Sequence, residues 1–302
     1  MPRRARRAAP VLAEGRSMIT RPALRYQGGK WRLADWIIGH LPEHHCYVEP
    51  FGGAMSVLLR KRPSAIEVYN DLDQHVVDFF RVLRDPVKAE QLRLALSLTP
   101  YSRAEFVQAW EDHPDPVEAA RRMVIRTAQA IGAKKRLARN GWRAGPTHHT
   151  PTSMWRGWPK HIPAYVDRLQ DVLIDQQPAA DVIAQFDSPE TLFYVDPPYV
   201  LKTRAGDHRK VYAHELEDAE HVALLDQLLQ LRGMVLLSGY RHPLYDEALV
   251  GWRRVDVHAR AQSNQPRIES LWISPAAAAA LPHPALELEP CPTSYSPANR
   301  AA

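Results

Sequence analysis

Residues 192–199 read Leu192-Phe193-Tyr194-Val195-Asp196-Pro197-Pro198-Tyr199, and no other stretch constrains the fold so tightly. The apolar run is the right length for a buried strand. Proline has no amide to offer a ladder, so two in succession end the strand at Asp196. A carboxylate, a prolyl carbonyl and an aromatic ring are thereby presented together at a strand's carboxyl end. In open α/β sheets, ligands bind in the crevice outside those ends. Two acceptors beside a stacking ring suit a planar base that carries an exocyclic amine.

The rest of the chain agrees with such a sheet. Strand-like runs alternate with helix-like ones, the pattern of an α/β fold with mainly parallel strands. Strands are expected to end near Val48, Tyr69, Asp175, Val195, Ser238, His258 and Ser274. Helices are expected to begin after Lys30, after Gly53, and near Gln74, Glu217 and His242. Residues 217–231 give the clearest helix, with Val222, Leu225, Leu228 and Leu229 on one face and Gly233 as a stop. From Pro86 to Pro163 helical segments dominate, with a capping box at Ser102 and Glu105 and a second helix over Val117 to Ile131. This stretch ends in an irregular basic run from Gly132 to Lys160. The expected organisation is a basic, disordered lead-in over residues 1–20 and a catalytic domain from 21–85 and 164–275. A helical insert occupies 86–163, and a disordered tail rich in Ala and Pro occupies 276–302.

Composition narrows the class. A chain of 302 residues holds one large α/β domain with an insert, or two modest domains. No apolar run approaches a bilayer-spanning length. Arg3, Arg4, Arg6 and Arg7 lack a following signal-peptide core. Cys46 and Cys291 are the only cysteines, too few for a disulfide framework or a cysteine metal site, and a reducing cytoplasm fits. The formal charge of +5 favours an anionic partner.

Three further elements precede the D-P-P-Y strand end. They are a glycine turn at Tyr26-Gln27-Gly28-Gly29-Lys30, a loop at Glu49-Pro50-Phe51-Gly52-Gly53, and an acidic strand end at Asn70-Asp71. In this order, with a helical insert before D-P-P-Y, the chain resembles the Dam-like DNA adenine-N6 methyltransferases. The resemblance covers roughly residues 24–274. It implies a Rossmann-like S-adenosylmethionine-dependent methyltransferase sheet with a mainly helical target-recognition insert.

It also implies a cofactor site. Tyr26, Lys30, Asp71 and Asp196 match positions that contact S-adenosylmethionine, and Glu49 and Phe51 match the loop around its methionine half. Gly28, Gly29, Gly52 and Gly53 permit close backbone approach. Asp71 lies about twenty residues past the loop, where a second-strand acid binds ribose hydroxyls in nucleoside-binding folds. The family commonly has another glycine where this chain has Met55, which leaves the tightness of the loop, though not its location, open.

The implied reaction is direct methyl transfer to the exocyclic nitrogen of a flipped adenine. Asp196 and the Pro197 carbonyl accept from the amine, Tyr199 stacks on the base, and Pro198 stiffens the loop. Cytosine-N4 enzymes usually put Ser at the Asp196 position and protein-glutamine enzymes Asn, so Asp196 favours adenine. A non-catalytic DNA-binding relative would have no use for an intact Asp196 and Lys30. No metal is needed, and His148-His149 lack partner ligands at a known spacing.

The implied partner is double-stranded DNA, with no membrane and, in restriction-modification settings, a cognate restriction endonuclease. Lys134, Lys135, Arg136, Arg139, Asn140, Arg143 and Arg156 form the expected DNA surface, interleaved with Trp142, Trp155 and Trp158. Phosphates need the cations, and base edges are read by Arg or Asn. Each tryptophan alone is better read as packing onto the insert. Lys202 and Arg204, just after D-P-P-Y, belong to a second basic loop that can close over the substrate.

Overall fold

The computed structural model describes residues 19–26, 28–131, 141–144, 151–204, 212–260 and 266–281. Among them, seven strands form one sheet. β1 (Cys46–Glu49), β2 (Ile66–Asn70), β3 (Val172–Asp175), β4 (Thr191–Val195) and β5 (Met234–Gly239) are parallel. β6 (Arg253–Arg260) and β7 (Pro266–Ile273) form an antiparallel pair, with β7 docked on β5. The order β3-β2-β1-β4-β5-β7-β6 reverses its succession between β1 and β4. That switch opens a crevice at the carboxyl ends of these two strands. The strand ends expected from sequence fall within one or two residues of these bounds.

Strand alternation divides the core into two layers. Tyr47, Tyr69, Tyr194, Leu236 and Leu271 face one side, and Val48, Val68, Phe193, Val195, Leu237 and Trp272 the other. The second side is covered by α8 (Ala179–Phe186), α9 (Asp218–Leu229) and α10 (Pro243–Ala248). The first side is covered by α1 (Ala34–Ile38) and α2 (Gln74–Arg84), and its core continues into the insert.

The insert comprises α3 (Pro86–Leu98), α4 (Arg103–Gln108), α5 (Pro116–Gln129) and α6 (Pro151–Gly157). It leads into α7 (Ile162–Leu169), which spans the boundary expected at residue 163. Asp85 and Asp115 cap α3 and α5, each with proline at the first helical position. On β2, buried Glu67 pairs with Lys61 and Arg168 and so ties the sheet to α7.

Several local expectations need correction. No regular helix follows Gly53. Met55 adopts a left-handed φ of 55°, and the Leu58 amide donates to Glu49 Oε1 instead of a helical carbonyl. Ser102 caps α4, but the Glu105 carboxylate pairs with Arg121 and does not close a capping box. In α9 the inward stripe is His221, Leu224, Leu225 and Leu228, while Val222 and Leu229 are exposed. The end of the basic run is helical, as α6 and a 3-10 turn at Trp158–His161. The alanine run assigned to the tail forms α11 (Pro275–Ala280), capped by Ser274 and anchored by buried Ala277. Alanine is the best helix former, and a capped proline start suffices to begin it.

Candidate active site

β1, β2 and β4 end side by side, and their terminal acids meet one cavity. Its lining includes Glu49 from β1, Asp71 after β2 and Asp196 after β4. Gly28, Gly29 and Lys30 close it from the N-terminal turn, and Phe51, Gly52 and Gly53 from the loop after β1. All the residues expected at the cofactor site are therefore brought together. Tyr26 lines the same cavity, and its hydroxyl donates to Asp73 Oδ2 at 3.3 Å.

Asp196 is held from two sides. Lys30 Nζ lies 2.8 Å from Oδ1, and Ser238 Oγ donates to the same atom at 2.6 Å. Among the described residues, the contacts of both partners fall on Oδ1, which leaves Oδ2 to face a ligand. Burial pulls the Lys30 pKa down, but Asp196 and then Glu269 more than reverse this, so Lys30 remains a cation. Lys30 Nζ also stands 4.7 Å from the centroid of the Tyr199 ring. Tyr199 is outside the cavity lining; its hydroxyl donates to Glu269 at 2.6 Å, and Tyr240 packs against it edge-on.

Glu49 is only 2% exposed, and its Oε1 accepts from the Tyr47 hydroxyl and the Leu58 amide, both at 2.8 Å. Burial nevertheless pushes its pKa up to about 8; the two hydrogen bonds oppose the shift and the Asp196 charge adds to it. Asp71 braces the loop, with Oδ2 accepting from Gly53 N and Oδ1 from Asp73 N, each at 2.8 Å. A carboxylate has about four acceptor sites, so capacity for ligand hydroxyls remains.

The loop itself stays tight despite Met55. This residue keeps the left-handed backbone a glycine would adopt, at a cost on the order of 1–2 kcal/mol. Its side chain is fully buried in the core. Gly52 has no such latitude, because a Cβ there would stand 2.1 Å from the Tyr69 ring.

Tyr212, Ser238 and Glu269 were not picked out from the sequence as site residues. Ser238 is the only one with a local signal, since it sits at the end of β5 as Asp196 follows β4. Tyr212 lines the cavity, and its hydroxyl lies against Gly28, where a Cβ would meet it at 2.2 Å.

The basic residues separate into three groups. Lys134, Lys135, Arg136, Arg139 and Asn140 lie outside the described residues, as do His148 and His149. Arg156 is exposed at the end of α6, and Lys202 is exposed and paired with Asp218. Arg143 and Arg204 are engaged internally. Arg143 Nη2 reaches the Ala128 carbonyl at 3.5 Å, and its own carbonyl accepts from Tyr101. Arg204 holds both Glu215 oxygens and the Tyr199 carbonyl, and stacks over Tyr212. Arg204 thus braces the D-P-P-Y loop against residues 212–215. The tryptophans pack inward: Trp155 and Trp158 are buried, and Trp142 donates to Gln129.

Comparison with known proteins agrees with this geometry. Residues 26–260 match the family described as D12 class N6 adenine-specific DNA methyltransferase. The proteins named DNA adenine methylase from Salmonella typhi and from Salmonella typhimurium strain LT2 are each 24% identical to it over 231 residues. The Escherichia coli K12 protein of the same name is 24% identical over 228 residues. In each case the match covers 73% of this chain and 81% of the relative. Glycine turn, glycine loop, acidic strand ends and D-P-P-Y all fall inside the matched span, and the chain belongs to the D12 class of N6 adenine-specific DNA methyltransferases.

Proposed function

We propose that the chain uses S-adenosylmethionine to methylate N6 of an adenine flipped out of double-stranded DNA. The observation that carries this reading is the Asp196 carboxylate. Its Oδ1 is tied to Lys30 and Ser238, and the residue lines the same cavity as the glycine loop, Glu49 and Asp71.

The donor set of the cavity fits the cofactor. Asp71 offers acceptors for ribose hydroxyls, Glu49 a carboxyl for the methionine ammonium, and Phe51 an apolar wall. Gly52 and Gly53 leave backbone open to close approach. When bound, the sulfonium supplies an electrophilic methyl group.

The remaining chemistry belongs to the protein. An exocyclic amine conjugated with a ring is a poor nucleophile. Asp196 Oδ2 and the Pro197 carbonyl accept its two N–H groups, which orients the lone pair and favours positive charge developing on nitrogen. Lys30 compensates the Asp196 charge without occupying Oδ2. Tyr199 supplies the apolar surface against the base, and taking the base out of the stack is the only way to reach this recessed carboxylate from a duplex.

Purified protein, labelled S-adenosylmethionine and unmethylated duplex DNA test the reading. Label is expected on N6-methyladenine after nucleoside digestion. Label on cytosine N4, or on RNA or protein in preference to DNA, would overturn it. Calorimetric titration with the cofactor tests the donor independently of transfer.

A further inference from the structure

Tyr199 stands beside Asp196 but owes its orientation to a residue far away in sequence. The Tyr199 hydroxyl donates to Glu269 Oε2 at 2.6 Å across a separation of 70 residues. Glu269 lies on β7, whose neighbour Ser270 pairs with Gly239 at the end of β5. Tyr240 follows that end directly and sets its ring 4.7 Å from Tyr199 at an interplanar angle of 71°. On its other contacts, Tyr199 has Lys30 Nζ near its ring and its carbonyl bonded to Arg204. A ring so placed has one polar atom, and that atom has one acceptor.

Burial pushes the Tyr199 pKa well above its ordinary value, and the Asp196 and Glu269 charges push it the same way. The hydroxyl therefore keeps its proton and is the donor. A short bond from a neutral hydroxyl to a carboxylate is among the stronger hydrogen bonds, worth roughly twice a neutral pair. Rotation of the ring about its last torsion would not break it, but swinging the ring away from Asp196 would. The bond therefore holds the ring against the other staggered wells of its first torsion, which would carry it off Asp196.

We propose that Glu269 is a positioning residue for methyl transfer: by holding the Tyr199 hydroxyl, it fixes the ring against which the target adenine stacks next to Asp196. This rests on the role of Tyr199 given above. It adds a residue from the antiparallel edge of the sheet to a site otherwise built from the parallel half. Glu269 does not itself line the cofactor cavity, though its charge also helps keep Lys30 cationic, so cofactor affinity is measured beside the rate.

A double-mutant cycle tests it. Tyr199→Phe removes the hydroxyl and keeps the ring; Glu269→Ala removes the acceptor; Glu269→Gln keeps a neutral acceptor. Single-turnover methyl transfer to unmethylated genomic DNA is expected to slow about tenfold for Tyr199→Phe and for Glu269→Ala. The double variant is expected to be no slower than either single one. Glu269→Gln should recover most of the rate, and calorimetric affinity for S-adenosylmethionine should stay within about twofold throughout. Multiplicative losses in the double variant, or a parallel fall in cofactor affinity, would overturn the inference. So would a wild-type rate for Tyr199→Phe, a result that also decides the matter if Glu269→Ala fails to fold. Tyr199→Ala separates the two claims. Full activity in that variant removes Tyr199 from the base site altogether, whereas a loss there with an unimpaired Tyr199→Phe removes only Glu269.

Discussion

At the strand ends and in the insert, the same polar residue types do opposite things. Around the cavity, Asp196 gives one oxygen to Lys30 and Ser238 and keeps the other. In the insert, Arg121 holds Glu105 and Glu118, and Arg122 holds Glu118 and the Glu111 carbonyl. Trp142 and Trp155 there spend their N–H groups on Gln129 and on the Thr99 carbonyl. The cause lies in the backbone. In a parallel sheet the backbone groups pair with one another along the strands, and the crevice at their carboxyl ends leaves side chains there free to meet a ligand. Short helices packed on one another leave termini and crossings that side chains must tie. A polar residue beyond a strand end therefore reads as chemistry, and the same residue in the insert reads as architecture.

The sharpest way to break that contrast is Asp196→Ala. Loss of a preorganised charge-stabilising group is expected to slow methyl transfer at least about a hundredfold while DNA binding persists. Lys30 would keep its burial but lose its ion pair, so melting temperature should fall as well. Asp196→Asn separates the two effects, since it retains shape and an acceptor oxygen. Single-turnover transfer and fluorescence anisotropy with duplex DNA give the comparison. A rate near that of the unaltered enzyme would show that the strand end is not where transfer occurs.

Glu49 stands between the two regimes, a strand-end acid with structural partners. Its folded pKa of about 8 lies above the ordinary 4.5. The folded protein thus holds a proton that the unfolded chain releases within that window. The associated stability is complete below about pH 4.5 and is lost as pH rises through about 8. Glu49→Gln lacks this dependence. Its stability relative to the unaltered chain should grow between pH 5 and pH 8.5, by an amount on the order of a few kcal/mol. Urea denaturation at the two pH values measures it. A constant difference would mean that Glu49 is ionised throughout.

What the sequence makes legible follows the same line. Every strand end and the acids beyond them are local signals, carried by Val195-Asp196-Pro197 or Tyr69-Asn70-Asp71. Glu269 is not, because its bond to Tyr199 exists only through the order β5-β7. The buried stripe of α9 was displaced because His221, polar by type, packs inward on the Tyr245 hydroxyl. The effect of Met55 on the loop is not legible in sequence; in the structure its backbone holds a left-handed conformation while its side chain is buried in the core. Arg143 and Arg204 look like free cations in sequence, and only packing reveals the carbonyls and acid that claim them.

Asp71→Ala is expected to act more mildly than the changes at Asp196. It removes an acceptor remote from the reacting nitrogen, together with the brace on Gly53. Contacts of that kind support ground and transition states alike. The cofactor dissociation constant should rise about tenfold, as for one charged hydrogen bond, with maximal rate changed far less. Calorimetry and steady-state kinetics at saturating cofactor separate the two. A large rate loss at unchanged affinity would place Asp71 in the chemistry itself.

The smallest expected effects are in the insert, and they decide whether any of its basic residues escape the architectural role. Arg156 is exposed, so a phosphate contact is its expected part. Arg156→Ala should weaken binding to all sequences alike and reduce the salt slope by about one. Arg143 reaches the Ala128 carbonyl on α5 at 3.5 Å, so Arg143→Ala should cost at most about 1 kcal/mol of stability and leave the methylated motif unchanged. Base reading is then expected of its sequence neighbours Arg139 and Asn140, whose side chain types suit guanine and adenine edges respectively. Alanine at either should cost about 1–3 kcal/mol on the true site and relax one position of the motif. Methylome sequencing of a methylation-free host expressing each variant reads the motif in all four, while anisotropy titrations against salt and urea denaturation read the affinity and stability changes. A motif altered by Arg143→Ala, and untouched by the other two, would return Arg143 from the insert's scaffold to its DNA-reading surface.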